Sequence, residues 1–406
     1  MLSYKVDVRC GKNVLKSMEQ KKEGDMMRNG IYFMPLGGGQ RVGASCYYLR
    51  LGDTNLILDA GVGKENGMLF EPDLYSLITS PFLQSMNQID HIYISHAHTD
   101  HIGYLLKLMK QATKATVYMT EITAMLSEYQ LYDRNYLRSS KEDENKRLAA
   151  QSILEKVVKV SYMKQMDFGK YKVTFLPAGH LPGAMMMLFE VGKRKILYTG
   201  DYSLQKTALT GGCMIPDNLN IDTVIMCGLH AKHPEYVKNT DALFKTVQYV
   251  LRFVESKKKS ILCRVPQLSK GIEFLKTLNE WNVHQIPIYL DESIMDVVRK
   301  MEQLSIPILT VNNRVGFPKE PHIYIMANAY HQKNHFYQEV NVDFSLHEDF
   351  SDMKEFIKKV NPKKAVLVHC AKEYSPFDET IEQTMMLDGE CRTQFIFAEE
   401  KEIYQL

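Results

Sequence analysis

His96-Ala97-His98-Thr99-Asp100-His101 follows directly on the apolar run Ile92-Tyr93-Ile94. Four potential metal ligands thus stand together just past a strand-like segment. A strand that ends this way cannot bury the cluster unpaired, because desolvating several imidazoles and a carboxylate is costly. A divalent cation removes that cost by coordinating them. His96 and His98 alternate, so both can point to one side of the turn and bind one ion. Asp100 and His101 then face a second ion. Chance assembly of His-x-His-x-Asp-His is improbable even with 13 histidines in the chain.

Further candidate ligands occupy the same kind of position. Ala178-Gly179-His180 follows the strand-like Val173 to Leu176, Thr199-Gly200-Asp201 follows Ile196 to Tyr198, and His369 follows Val366 to Val368. Taken singly, any one of the three could be a capping or core polar residue. Their common place after apolar strands lets them converge with the first cluster on one rim. The set His96, His98, His180, Asp201, Asp100, His101 and His369 suffices for two ions. Three histidines would hold one, Asp100, His101 and His369 the other, and Asp201 would bridge. Imidazole with carboxylate suits zinc, and the ligand types also admit manganese or iron. Two such ions clamp the oxygens of a displacement at phosphorus.

The rest of the chain frames this cluster. Short strand-like runs, punctuated by Gly, Asp or Pro, recur from Ile31 to Tyr198. Helical periodicity fits Ile102 to Gln111, Glu121 to Tyr132 and Lys141 to Val158. Between about residues 212 and 330 helices and strands alternate, which predicts a small parallel sheet. Asp349 to Val360 reads as a helix and Ala365 to Val368 as a strand leading to His369. The expected fold is α/β (α+β): a metal-binding αββα sandwich interrupted by an inserted α/β domain. The divisions predicted are an appended polar segment (1–30), the first part of the sandwich (31–211), the insertion (212–335) and the rest of the sandwich (336–406).

Length and composition agree with this layout. A chain of 406 residues exceeds what one core usually supports. The net charge of +2 gives no global argument for nucleic-acid or membrane binding, so any basic surface must be local. Lys193-Arg194-Lys195 and Lys257-Lys258-Lys259 read as solvated turn charges. The seven cysteines are scattered without a Cys-x-x-Cys pair, which points to reduced thiols rather than a zinc finger. No signal-peptide core or membrane-length apolar run is present, so a cytoplasmic location is expected.

Leu58-Asp59-Ala60-Gly61, His96 to His101, Ala178-Gly179-His180 and Thr199-Gly200-Asp201 together resemble the ordered motifs of the metallo-β-lactamase superfamily. By that resemblance Asp59 supports the metal ligands from behind. Phe344-Ser345-Leu346-His347-Glu348-Asp349 and Val366-Leu367-Val368-His369 further resemble the late histidine motifs of the β-CASP nucleases, in wording similar to the mRNA 3′-end cleavage type and its prokaryotic homologues. The resemblance implies that His369 is a metal ligand, that His347 is the general acid at the scissile phosphate, and that Asp100 orients or deprotonates the attacking water. Lys270 falls where the branch keeps an arginine facing phosphate. Nucleic acid is the implied partner, RNA ahead of single-stranded DNA, with a homodimer left open.

Two features depart from the branch. Its strand after Asp201 normally ends in an acidic residue, and this chain has Cys227 there, followed by Gly228-Leu229-His230. Loss of that carboxylate lowers the pKa of His347 and loosens its orientation. His230 and His233 are nearby substitutes or simple loop residues. Met326 to Asn334 also replaces the usual Gly-rich loop. Three functions are therefore weighed: a phosphodiester hydrolase of ribonuclease type, a small-molecule or thioester hydrolase on the same metal core, and a weakly active or non-catalytic subunit of a nucleic-acid complex.

Overall fold

The computed structural model describes residues 30–131, 141–217, 219–233, 236–238, 241–316, 319–327, 337–370 and 393–406. Two seven-stranded sheets face each other. The first runs in the order Tyr404–Gln405, Ile31–Gly37, Cys46–Leu51, Thr54–Leu58, His91–Tyr93, Thr116–Thr120 and Val158–Val160. The second runs Gln394–Phe397, Lys364–Val368, Thr223–Cys227, Arg194–Tyr198, Met185–Val191, Lys172–Pro177 and Gln165–Asp167.

Period-two alternation explains why these segments stack as layers. In Cys46–Leu51, Tyr47 and Leu49 enter the core between the sheets, while Cys46 and Tyr48 face the helices outside. In Thr223–Cys227, Ile225 points between the sheets, and Val224 and Met226 point to the other side. Tyr93 of one sheet meets Phe189 of the other edge-on, with ring centroids 5.5 Å apart. Phe33, Phe175 and Phe189 are fully buried there, and each contributes roughly 1.5–3 kcal/mol. Helices Leu105–Gln111 and Glu121–Leu131 cover the first sheet, and Phe350–Val360 covers the second.

The third sheet is wholly parallel, in the order Asn313–Arg314, Ile288–Leu290, Ile323–Ala327, Ile261–Val265 and Gln338–Asn341. Helices Ala242–Lys257, Lys270–Trp281 and Glu292–Gln303 connect or flank its strands. The inserted unit is pinned to the sandwich by polar contacts. The Tyr129 hydroxyl donates to Asp296 at 2.7 Å, and Lys300 pairs with Glu128 at 2.8 Å.

Several boundaries differ from expectation. The helix predicted over 102–111 is two helices, Thr99–Ile102 and Leu105–Gln111, separated at Gly103. The helix predicted to reach Val158 ends at Leu154, and Val158 begins a strand beside Tyr118. Thr223–Cys227, assigned to the insertion by a boundary at 212, lies inside the second sheet because it pairs on both edges there. Gln338–Asn341, assigned to the sandwich by a boundary at 335, pairs with Ile261–Val265 instead. Most of the segment replacing the Gly-rich loop, and residues 1–29 of the appended segment, lie outside the described residues. Among the described residues no helix is long and apolar enough to cross a membrane.

Candidate metal centre

Strand direction builds the rim. Arg194–Tyr198, Thr223–Cys227 and Lys364–Val368 are parallel. Met185–Val191 runs opposite to Arg194–Tyr198, and Lys172–Pro177 runs opposite to it in turn. The carboxyl ends of four strands therefore emerge on one edge and deliver His180, Asp201, Cys227 and His369. In the facing sheet Thr54–Leu58 and His91–Tyr93 are parallel, so Asp59 and His96 leave on a common edge too.

Close backbone packing holds the His96 to His101 turn. Ser45 N–H donates to the Asp100 carbonyl at 2.9 Å and Ala60 N–H to the His101 carbonyl at 2.8 Å. A Cβ on Gly61 would stand 1.7 Å from the Asp100 carbonyl oxygen, so only glycine fits. Asp59 and His369 adopt left-handed φ values of 60° and 55°. Such strain, on the order of 1–3 kcal/mol per residue, persists where surroundings over-determine it. The Asp59 N–H donates to Tyr93 and the His369 N–H to Gly38, at 2.8 and 2.6 Å.

The structure gathers the candidate ligands into two adjoining groups. His96, His98, His180 and Asp201 form one, and Asp100, His101 and His369 the other. His98 Nδ1 lies 3.1 Å from His96 Nε2 and 3.2 Å from His180 Nε2. Asp201 Oδ2 is 3.8 Å from both of those Nε2 atoms. Ligands about 2.0–2.1 Å from a tetrahedral zinc ion would stand about 3.3 Å apart, which these spacings bracket. Asp201 Oδ1 points to the second group, 3.5 Å from His101 Nε2, and Asp100 Oδ2 is 3.8 Å from His369 Nε2. That Asp201 Oδ1 is buried without a hydrogen-bond donor. A buried carboxylate oxygen left so is costly, and a cation beside it removes the cost. The residues present therefore fit metal ions.

Each of the five imidazoles is gripped on its other nitrogen. His180 Nδ1 faces the Leu346 carbonyl at 3.3 Å and His101 Nδ1 faces Asp59 at 2.8 Å. Both partners can only accept, so the ring hydrogens sit there and the Nε2 lone pairs face the cluster. Ser95 Oγ donates to Asp59 and so can accept from His96 Nδ1 at 2.9 Å. His369 Nδ1 lies 3.0 Å from Ser45 Oγ, and His98 Nε2 lies 3.1 Å from Ser269 Oγ. Tyr198 adds its hydroxyl to Asp59. Ser45, Ser95, Tyr198, Ser269 and the Leu346 carbonyl escape sequence reading, since serine and tyrosine are common and no spacing marks them.

Electrostatics follow from burial. Burial, then the neighbouring imidazoles, holds His96 and His180 well below the usual histidine range, so both are neutral and able to ligate. For His101 burial acts downward, but Asp201, Asp59 and Asp100 outweigh it and push the ring up to about 10, so its Nε2 becomes a ligand only when a cation displaces the proton there. Asp201 is held well below the usual carboxylate range despite its burial, by the surrounding histidines.

His347 stands at the edge of this cluster. Asp349 caps the following helix, accepting from Asp352 N–H at 2.9 Å, so the His347 ring is free to face the rim. Its Nδ1 is 3.7 Å from Asp201 Oδ2, and its ring centroid is 4.8 Å from that of His180. Burial is the main cause holding it down to about 4. Cys227 lies with Asp201 and His347, their ligand atoms within 4.8 Å of one another. The Lys270 ammonium pairs with Asp343 at 3.2 Å. Among the described residues, His230 and His233 fall outside the three ligand groups, and the His230 ring stacks on Tyr236 with centroids 3.8 Å apart.

Residues 39–219 match the family described as the metallo-beta-lactamase superfamily, and residues 338–385 match the Zn-dependent metallo-hydrolase RNA specificity domain. The chain is thus similar to the metallo-β-lactamase superfamily over the first stretch and to a metal-dependent RNA-specificity domain over the second. The chain is similar to cleavage and polyadenylation specificity factor 73 of Drosophila melanogaster, at 28% identity over 65% of this chain and 38% of that protein. It is 29% identical to the probable RNase MJ4 of Methanocaldococcus jannaschii, over 65% of this chain and 60% of the relative. It is 25% identical to endoribonuclease YSH1 of Candida glabrata, over 75% of this chain and 41% of the relative. The chain thus spans less than two thirds of each of these relatives. A crystal structure of a protein of unknown function from Enterococcus faecalis V583 shares the fold, with a TM-score of 0.63 at 14% identity, covering 93% of this chain and 100% of that one.

Proposed function

We propose that this metallo-β-lactamase-fold chain is a hydrolase that cleaves phosphodiester bonds in RNA, in processing or decay, at a pair of zinc ions. One observation carries the reading: Asp201 turns one carboxylate oxygen to each of two adjoining ligand groups. His96, His98 and His180 would hold one ion, Asp100, His101 and His369 the other, with Asp201 between. Relatives named endoribonuclease and RNase support the polymer substrate. So does the match to an RNA specificity domain.

A bound ion pair supplies Lewis-acid charge stabilisation at phosphorus and acidifies water near neutral pH. The chain's residues do the rest. Asp100, about one-third exposed at the mouth, orients the attacking water and accepts its proton. His347, with 28% of its side chain exposed, hands a proton to the leaving oxygen. A phosphodiester at the rim adds negative charge beside this ring and favours its protonated form. Lys270 contacts phosphate when Asp343 releases it.

Cys227 favours a second reading, hydrolysis of a small ester or thioester, because no carboxylate stands there to support His347 as an acid. Zinc-loaded protein assayed against labelled RNA, single-stranded DNA and bis(p-nitrophenyl) phosphate decides between them. Cleavage of RNA is the expected result. Turnover of the small ester without polymer cleavage supports the second reading, and zinc binding without any turnover overturns both.

A further inference from the structure

Ser269 opens the inserted helix Lys270–Trp281, yet its conformation does not serve that helix. Its backbone lies at φ 48° and ψ −96°, where an L-residue is strained and glycine is not. Its hydroxyl makes no cap hydrogen bond, although serine at a helix start ordinarily accepts one from the following turn. Instead Oγ stands 3.1 Å from His98 Nε2, across 171 residues of sequence.

Neighbours hold this strained geometry in place. A Cβ on Gly271 would lie 2.0 Å from the Pro266 carbonyl oxygen, so the turn before the helix is tightly packed. Leu268 and Ile272 are buried on either side. Glu273, also buried, accepts from Ala208 N–H at 2.7 Å, on the loop that follows Asp201.

We infer that Ser269 is a positioning residue of the metal centre, through which the inserted unit sets His98. Its hydroxyl accepts from His98 Nε2–H and fixes the tautomer whose Nδ1 lone pair faces His96 and His180. The first ligand group is then fully organised only when the inserted unit is docked. This rests on the rim being a metal centre.

The test is zinc affinity of the full chain, by competition with a chromophoric chelator, beside thermal melting of the metal-free protein and the visible spectrum of the cobalt-loaded form. Ser269→Ala keeps the strain and loses the hydroxyl; Ser269→Gly loses both. Both variants are expected to bind zinc about 10–100-fold more weakly at one site and to shift the cobalt bands. Metal-free Ser269→Gly is expected to melt above Ser269→Ala. Zinc affinity equal to wild type in either variant overturns the positioning role while leaving the metal centre standing. A wild-type chain that takes up no zinc overturns the metal centre itself, and this inference with it.

Discussion

Asp59 Oδ2 lies 2.8 Å from His101 Nδ1, and the same carboxylate accepts from the Ser95 N–H at 2.6 Å and from the Ser95 and Tyr198 hydroxyls. One buried side chain thus orients His101 directly and His96 through Ser95. Asp59→Asn puts an N–H where a donor already points. Zinc affinity is expected to fall about 10–100-fold while far-ultraviolet dichroism stays native. Unchanged affinity in a chelator competition would mean that the two rings hold themselves.

His98 supplies a corner that His96 and His180 both approach. His98→Ala is expected to lower bound metal from two ions to one per chain and to abolish hydrolysis. Elemental analysis of the dialysed protein beside the RNA assay reads both quantities. Full metal content with retained activity contradicts the ligand assignment.

His347 touches the rim beside Asp201 and Cys227, outside both the His96, His98, His180 group and the Asp100, His101, His369 group. His347→Ala should leave metal content intact and slow the chemical step by roughly 10²–10⁴-fold. Single-turnover kinetics on labelled RNA measures this. A wild-type rate would reduce the ring to packing against His180.

Cys227 is 8% exposed beside Asp201 and His347. A carboxylate there would favour the imidazolium form of His347. Cys227→Glu is therefore expected to raise RNA cleavage and move the alkaline limb of the rate profile upward. The pH–rate profiles of the two proteins make the comparison, and coincident profiles would show that another group already fills the role.

Glu348 is pushed up to about 8, mainly by burial, with Asp352 adding to it. The folded chain thus keeps a proton that the unfolded chain releases above its ordinary value of 4.5. The associated stability is complete below that value and is lost as pH rises through about 8. Glu348→Gln fixes the neutral form and keeps the acceptor for the Leu204 N–H. Thermal melts should coincide near about pH 5 and favour the variant near about pH 9. Parallel curves across that range would place the titration elsewhere.

The strands and the seven candidate ligands are legible in sequence because apolar runs end in residue types that burial alone does not tolerate. His180, Asp201 and His369 were readable by position, each just past a strand. The groups that aim them were not. Ser45, Ser95 and Ser269 look like any other serine, and only the fold brings Ser269 back to His98. Periodicity also overran two helices. Gly103 separates one pair of turns, and Val158 pairs with Tyr118 instead of extending the helix before it. The inserted unit was placed by its βαβ rhythm, but rhythm does not say which sheet a strand joins, as Thr223–Cys227 and Gln338–Asn341 demonstrate.

Lys364–Val368 lies between Thr223–Cys227 and Gln394–Phe397, and it carries His369 at its end. During synthesis the earlier strand waits with an open, pairing-competent edge, a standing invitation to aggregation. The same late segment that seals this edge also delivers the candidate ligand His369. A half-made polypeptide therefore lacks both the sealed edge and the third member of the second ligand group, and the two arrive in one step.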